Sequence, residues 1–245
     1  MFDWSQSDLI VLPISLGVII VISILLGVLF KNKSAQARSI PLMVIAATIL
    51  VLEAIKQVKG IAEGYGFWTF PLHFCSLFLY FFPLACFAKG KVQNFGKTMS
   101  FVCSTLLFVM FYFNPGTIIG AETTANIFES FSSFHTFIYH HLAILFLPLS
   151  LALRFYNFDK KCYLHVLIGF TLYAVIMIPC AYLMDTNFCN ILESNIPFME
   201  SLRLQVGQVA YTIIMYLISI IGGVAIVSIP LLINKLFKSK KEGRI

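Results

Sequence analysis

The sequence predicts an all-α polytopic membrane bundle of about seven transmembrane helices, with its N-terminus outside and its C-terminus in the cytoplasm. Three observations predict it. First, the 245 residues are 59% hydrophobic and only 11% charged, where a soluble domain carries about 25% charged residues. Second, the apolar residues come in long blocks, with 25 Phe among them; such side chains coat a lipid-facing surface without cost, whereas a soluble surface tolerates few. Third, the basic residues fall almost entirely on alternate loops.

A helix crossing ~30 Å of hydrocarbon needs about 20 apolar residues, and seven segments qualify. The first run, Leu9 to Phe30, is not preceded by a basic n-region and is too long for a signal h-region, so 9–30 reads as a permanent helix. The others are 40–58, 69–88, 97–113, 136–153, 163–184 and 209–233. Between the fourth and fifth, Asn114-Pro115-Gly116 is a helix stop. The mildly apolar stretch Thr117 to Ser133 that follows either lies in the interface or re-enters the bilayer. There is no internal repeat, and residues 1–245 read as one transmembrane domain closing on a basic cytoplasmic tail, 234–245.

With the N-terminus outside, the inner loops hold Lys31, Lys33, Arg38, Lys89, Lys91, Lys97, Arg154, Lys160, Lys161, Lys235, Lys238, Lys240, Lys241 and Arg244. That is 14 of the 17 basic residues; only Lys56, Lys59 and Arg203 fall outside. The positive-inside rule then gives N-out and C-in. One helix more or fewer would reverse every later loop and destroy the pattern. The formal charge of +6 therefore reports orientation, and the tail anchors the last helix against anionic lipid. No soluble basic module offers a nucleic-acid partner. The six cysteines are scattered, with no CxxC pair and no histidines at zinc spacing, so no metal is expected. Cys180 and Cys189, both on the outer side, are expected as two free thiols.

Ionisable residues inside membrane helices are costly and point to function. Given the direction of each helix, Glu53 and Lys56 on the second, His73 and Cys75 on the third, His135, His140 and His141 on the fifth, and Asp185-Thr186-Asn187 at the end of the sixth share one outer-leaflet level. Each also has a plain reading. Glu53 and Lys56, three apart, are neighbours on a helix surface and can neutralise each other. Cys75 can be a small buried hydrophobe. His135 and His165 read as interfacial groups, and Asp185 to Asn187 as a helix exit. Two residues apart, His73 and Cys75 stand about 200° around a regular helix and face each other only if the turn after Pro71 is irregular. A base for a reactive Cys75 is then a histidine of the fifth helix. His140 and His141 stand 100° apart, so one of the two is expected to face the bundle. A Cys–His pair is a nucleophile with its base, and Asn187 or a helix-end N–H is a candidate oxyanion donor.

Phe70-Pro71-Leu72-His73-Phe74-Cys75 resembles the Leu-Pro-Leu-His-Leu-Cys stretch of the YwaF-like integral membrane family. Glu53-Ala-Ile-Lys56, Phe137-Ile-Tyr-His140 and Asp185-Thr-Asn-Phe188 with Pro197 resemble further family stretches in the same order, over residues 50 to 211. The resemblance implies a seven-helix fold. Through a distant animal relative that acylates ether phospholipids, it also implies a catalytic Cys with a His partner, which by position are Cys75 and His140. The chain departs from the family at Phe188, where Tyr is usual, at Ala121-Glu122-Thr123-Thr124 in place of a Thr-Pro, and at Val206 to Tyr211, where a Pro-Trp-Tyr approach is reduced.

The expectation is a lipid acyltransferase in the plasma membrane of a bacterium. Cys75 would be its nucleophile and His140 its base, with Glu53, Lys56, His73 and Asn187 orienting the pair or binding a phospholipid substrate, and no cofactor. The alternatives are a small-solute transporter, marked by broken helices and mid-membrane charges, or an outward-facing ligand-binding protein.

Overall fold

The computed structural model describes residues 4–120, 123–194 and 196–242, the last six of these without side chains. Glu122 and Arg244 of the sequence reading lie outside the described residues, as do the side chains of Lys238, Lys240 and Lys241. Every regular element among the described residues is helical. In chain order they are α1 (Gln6–Phe30), α2 (Ala35–Ala62), α3 (Leu77–Phe87), α4 (Gly90–Phe113), α5 (Pro115–Ile119), α6 (Phe131–Ala152), α7 (Lys161–Leu183), α8 (Pro197–Val206) and α9 (Gln208–Glu242). Six of them, α1, α2, α4, α6, α7 and α9, are long and apolar enough to cross a membrane.

The helix ends follow local chemistry. Ser5 and Asp8 form a capping box at the start of α1, each side chain accepting the other's backbone N–H at 3.1 and 2.8 Å. Ser34 and Ser130 cap α2 and α6 through their hydroxyls. Pro115 and Pro197 open α5 and α8 at a position where no N–H is needed. Gly120 and Gly207, at φ +83° and +81°, close them. The predicted stop at Asn114 is therefore present, and the chain re-forms one short helix beyond it.

The third predicted segment differs from a regular span. Instead of a continuous helix over 69–88, two 3-10 turns, Phe67–Thr69 and Phe74–Ser76, precede the eleven residues of α3. At 1.5 Å per residue α3 is about 17 Å long, roughly half of the hydrocarbon thickness. Pro71 is the physical reason. It has no N–H and pushes the residue before it out of the helical region, and Phe70 is extended at φ −62°, ψ 135°.

The chain divides into two compact units. The first contains residues 1–71 and 75–156, with α1 to α6. Its core is built from Leu12, Leu42, Ile49, Phe78, Phe82, Met99, Leu107, Phe111, Ile144 and Phe146, all fully buried. The Phe82 and Phe146 rings stack with centroids 3.8 Å apart. Gly96 lets α4 lie directly against α3, since a Cβ there would meet Ala85 N at 2.5 Å and Leu84 C at 2.6 Å. Ser100 fastens the same pair by donating to the Phe81 carbonyl at 3.1 Å.

The second unit contains Leu72–Phe74 and residues 157–245, with α7 to α9. Thr171 and Tyr216 share a hydrogen bond of 2.7 Å, and Tyr163 and Ser228 one of 3.1 Å, so α7 and α9 are joined at two levels. Tyr211, fully buried, donates to the Asn190 carbonyl at 3.1 Å and holds the loop after α7 against α9.

Candidate functional site

Four of the six predicted site residues, Glu53, Lys56, Cys75 and His140, belong to the first unit. Glu53 is buried near the C-terminal end of α2. A carboxylate taken out of water survives only if protein groups replace its hydration, and here two donors do, with a histidine close by. Lys56 Nζ donates to Oε1 at 3.1 Å, Gln57 Nε2 donates to the same oxygen at 2.6 Å, and His135 Nε2 from α6 stands 3.7 Å from Oε2. Gln57 extends the cluster. Its amide also donates to the Thr69 carbonyl at 2.9 Å and accepts the Tyr65 hydroxyl at 2.6 Å.

From His135 the chain of contacts leads to Cys75. The His135 ring stacks on Tyr139 at 5.4 Å between centroids. The Tyr139 hydroxyl donates to the Cys75 backbone carbonyl at 3.0 Å. The next residue on α6 is His140, which is buried. Its Nδ1 lies 2.7 Å from the Thr136 carbonyl. A carbonyl only accepts, so Nδ1 carries the proton and Nε2 is left with a lone pair. That Nε2 is buried and finds no hydrogen-bond partner among the described residues, and neither does Nε2 of His135. His140 is thus fixed in the tautomer that a general base requires, on the residue beside the one that anchors Cys75.

Both histidines at 140 and 141 are engaged, not one. His141 has the same Nδ1 contact, to the Phe137 carbonyl at 2.7 Å, and its Nε2 lies 2.9 Å from Ser15 Oγ on α1.

His73 and Asn187 belong to the second unit. The His73 ring meets Phe188 edge-on at 5.0 Å. Asn187 closes its own loop: Oδ1 accepts the Leu192 and Glu193 N–H groups at 3.0 and 3.4 Å, and Nδ2 donates to the Glu193 carbonyl at 2.9 Å. The loop that follows is strained, with Asp185, Cys189 and Asn190 at φ +46°, +56° and +57°. Tyr173 of α7 holds it to the Leu72–Phe74 stretch, its hydroxyl lying 2.6 Å from the Leu72 carbonyl and 2.7 Å from Cys189 Sγ. Burial pushes the Cys189 thiol up to about 11, opposed by the Tyr173 hydroxyl and the Phe74 N–H. Cys180 and Cys189 are both free thiols.

The sequence reading missed the donors that support the irregular stretch before α3. Gln57 serves the Thr69 carbonyl, Tyr80 the Pro71 carbonyl at 3.0 Å, Tyr173 that of Leu72 and Tyr139 that of Cys75. Three of the four are tyrosines in apolar helices of a chain that otherwise favours Phe. A hydroxyl placed there needs a partner, and that was the available signal.

A family model for the TMEM164 family matches residues 1–233, and the chain belongs to that family. A search of the curated proteins and of the solved structures finds no match.

Proposed function

We propose that this member of the TMEM164 family is a lipid acyltransferase with Cys75 as nucleophile and His140 as its base. The observation that carries the reading is the imidazole of His140: buried, locked by Thr136 with a proton on Nδ1, and presenting an unused lone pair on Nε2. Cys75 is tied through its carbonyl to the residue before it in α6. The resemblance to YwaF-like proteins, with their ether-phospholipid acyltransferase relative, points the same way.

The chemistry balances with no cofactor. His140 Nε2 takes the Cys75 thiol proton and the thiolate attacks the ester carbonyl of a donor phospholipid. The C–O bond breaks, the leaving lysolipid oxygen takes the proton from the imidazolium, and a thioester remains on Cys75. The hydroxyl of an acceptor lysolipid then gives its proton to His140 and attacks the thioester, which restores the thiol and releases the new ester. Lys56, one-third exposed beside the buried Glu53, is placed to meet a headgroup phosphate, while Glu53 holds it in position. His73 and Asn187 act by ordering the loop around Phe188. The N-terminus and this site face outward, and the protein resides in a bacterial plasma membrane.

The test is labelling of the purified protein with a lipid-like activated acyl probe, read residue by residue by mass spectrometry. Labelling confined to Cys75, blocked by phospholipid and lost in His140→Ala, is the expected result. A Cys75 no more reactive than Cys86 or Cys103, both buried free thiols, would reject it. One observation favours a second reading, a solute transporter: the non-helical stretch before α3, of the kind that builds transporter binding sites. Substrate-dependent uptake into sealed vesicles that persists in Cys75→Ala would select that reading.

A further inference from the structure

The pair formed by Ser15 and His141 is distinct from Cys75 and His140 and has the geometry of a nucleophile with its base. Ser15 lies in the third turn of α1, shortly after Pro13, and His141 in the third turn of α6. Each is about 14–15 Å along its helix from the start. Ser15 Oγ and His141 Nε2 are 2.9 Å apart. The Phe137 carbonyl, 2.7 Å from Nδ1, fixes the proton there, so Nε2 must accept and the serine hydroxyl must donate. A base held by a third group and hydrogen-bonded to a hydroxyl is the arrangement that activates a serine. The alternative acceptor for the Ser15 proton is the Leu12 carbonyl at 2.9 Å. One proton cannot serve both, so the Ser15–His141 bond forms and breaks by a rotation of the hydroxyl alone.

A second observation bears on a ligand. The Tyr112 hydroxyl of α4 interacts with Ser15. It is buried and makes no hydrogen bond of acceptable geometry among the described residues. Its hydroxyl is thereby placed beside the nucleophile, where the oxyanion of an attacked carbonyl would need a donor. The surroundings are apolar. The Phe111 and Phe137 rings pack on the His141 imidazole at 5.2 and 3.9 Å, and Ile14 and Val18 of α1 are exposed on either side of Ser15. Among the described residues no charged side chain is paired with Ser15 or His141, which leaves the acyl portion as the part recognised.

We propose that Ser15, His141 and Tyr112 form a serine esterase centre for long-chain acyl esters within the bilayer. His141 Nε2 takes the Ser15 proton as Oγ bonds to the ester carbonyl, and Tyr112 donates to the resulting oxyanion. The ester C–O bond breaks, the departing alkoxide takes the proton from His141, and an acyl-serine remains. Water, deprotonated by the same imidazole, then releases the fatty acid and restores the hydroxyl.

The experiment uses the full-length protein in lipid nanodiscs and an alkyl fluorophosphonate probe. Ser15 displaces fluoride and keeps the phosphonyl group, and the modified peptide is identified by mass spectrometry, which separates this centre from any reaction at Cys75. The expected result is labelling at Ser15, slowed at least tenfold in His141→Gln, which can still accept the serine hydrogen bond but cannot take its proton, and on the order of tenfold or more in Tyr112→Phe. Wild-type protein of intact fold left unlabelled at Ser15 would overturn the proposal without recourse to any variant. Labelling of Ser15 at an unchanged rate in His141→Gln would overturn it as well, by reducing the pair to a hydrogen bond between two helices.

Discussion

Tyr139 shows what a single side chain must do where helical hydrogen bonding stops. In a membrane protein, irregular backbone is tolerated only where other groups satisfy its carbonyls, and the Cys75 carbonyl relies on the Tyr139 hydroxyl at 3.0 Å. Tyr139→Phe keeps the ring against His135 and removes only that donor. The expected loss is about 1 kcal/mol of stability, the usual net worth of such a bond, read as a lowered midpoint of thermal unfolding in detergent. The variant should also change the rate at which a small maleimide modifies Cys75, while leaving the remote Cys103 unchanged. Glu53 gives a second case. Lys56, Gln57 and His135 all surround it, so Glu53→Ala removes the shared acceptor and should cost more than Tyr139→Phe, roughly 1–3 kcal/mol once the partial exposure of Lys56 is discounted, by the same measurement. How much of this was legible in the sequence differs by residue type. Charges announce themselves inside apolar runs, so Glu53 and Lys56 were visible as a pair three residues apart. Gln57 and the tyrosines were not, because an amide or a phenol is compatible with lipid-facing, interfacial and buried positions alike, and only the path of the distant backbone they cap decides which.

At the scale of elements, the contact of α3 with α4 carries the site, because α3 begins where the Cys75 turn ends. Gly96 sets its closeness. A side chain there would collide with backbone atoms of Leu84 and Ala85 rather than with the end of a flexible neighbour, so no rotamer relieves it. Gly96→Val should therefore separate the two helices and destabilise the fold by about 1–3 kcal/mol or more, whereas Gly17→Ala, with nothing within 4 Å of its added Cβ, should leave the unfolding midpoint within experimental error. α8 supplies an element-scale response to pH. Hydrogen bonds from Arg203 and then from the Ser194 N–H hold the Glu200 carboxyl down to about 2, from an ordinary 4.5. A depressed pKa stabilises above the ordinary value and ceases to do so as pH falls toward the depressed one. Protection of the Ser194 amide against hydrogen exchange, corrected for the intrinsic rate, should therefore be full at pH 6 and decline between about 4.5 and 2, and Glu200→Gln should abolish that dependence. The six long helices were readable from apolar length, but the short helices α5 and α8 and the break before α3 were not. Pro71 fits the first turn of a helix as readily as it ends one, so the residue alone does not announce the break, and the distant donors are what make the carbonyls it frees tolerable.

For the whole molecule, sidedness is the property on which the placement of the site depends. The rule counts basic residues near the ends of the spans, and seven alternating spans would put 14 of the 17 on one side. Each of the three exceptions is matched by an acid: Lys56 with Glu53 at 3.1 Å, Lys59 with Glu63 at 3.2 Å, and Arg203 with Glu200. Pairing does not alter the count, but it leaves each of the three partly compensated by a neighbouring acid, Lys56 keeping one-third of its side chain exposed, whereas the opposite loops carry runs such as Lys160-Lys161. The bias therefore has a physical asymmetry behind it, and it predicts a specific labelling pattern. Lys33 and Glu63, both exposed, sit in successive loops, one after α1 and one after α2. In right-side-out vesicles a membrane-impermeant maleimide should modify the thiol introduced by Glu63→Cys and leave that of Lys33→Cys untouched, and in inverted vesicles the two should exchange. Since the native cysteines of the chain are buried or half-buried, the unsubstituted protein sets the background. The reverse pattern would turn the bundle over and carry Glu53, Cys75 and His140 to the cytoplasmic leaflet. The acyl chemistry proposed for them would survive that result, but its lipid donors would then have to come from the inner leaflet.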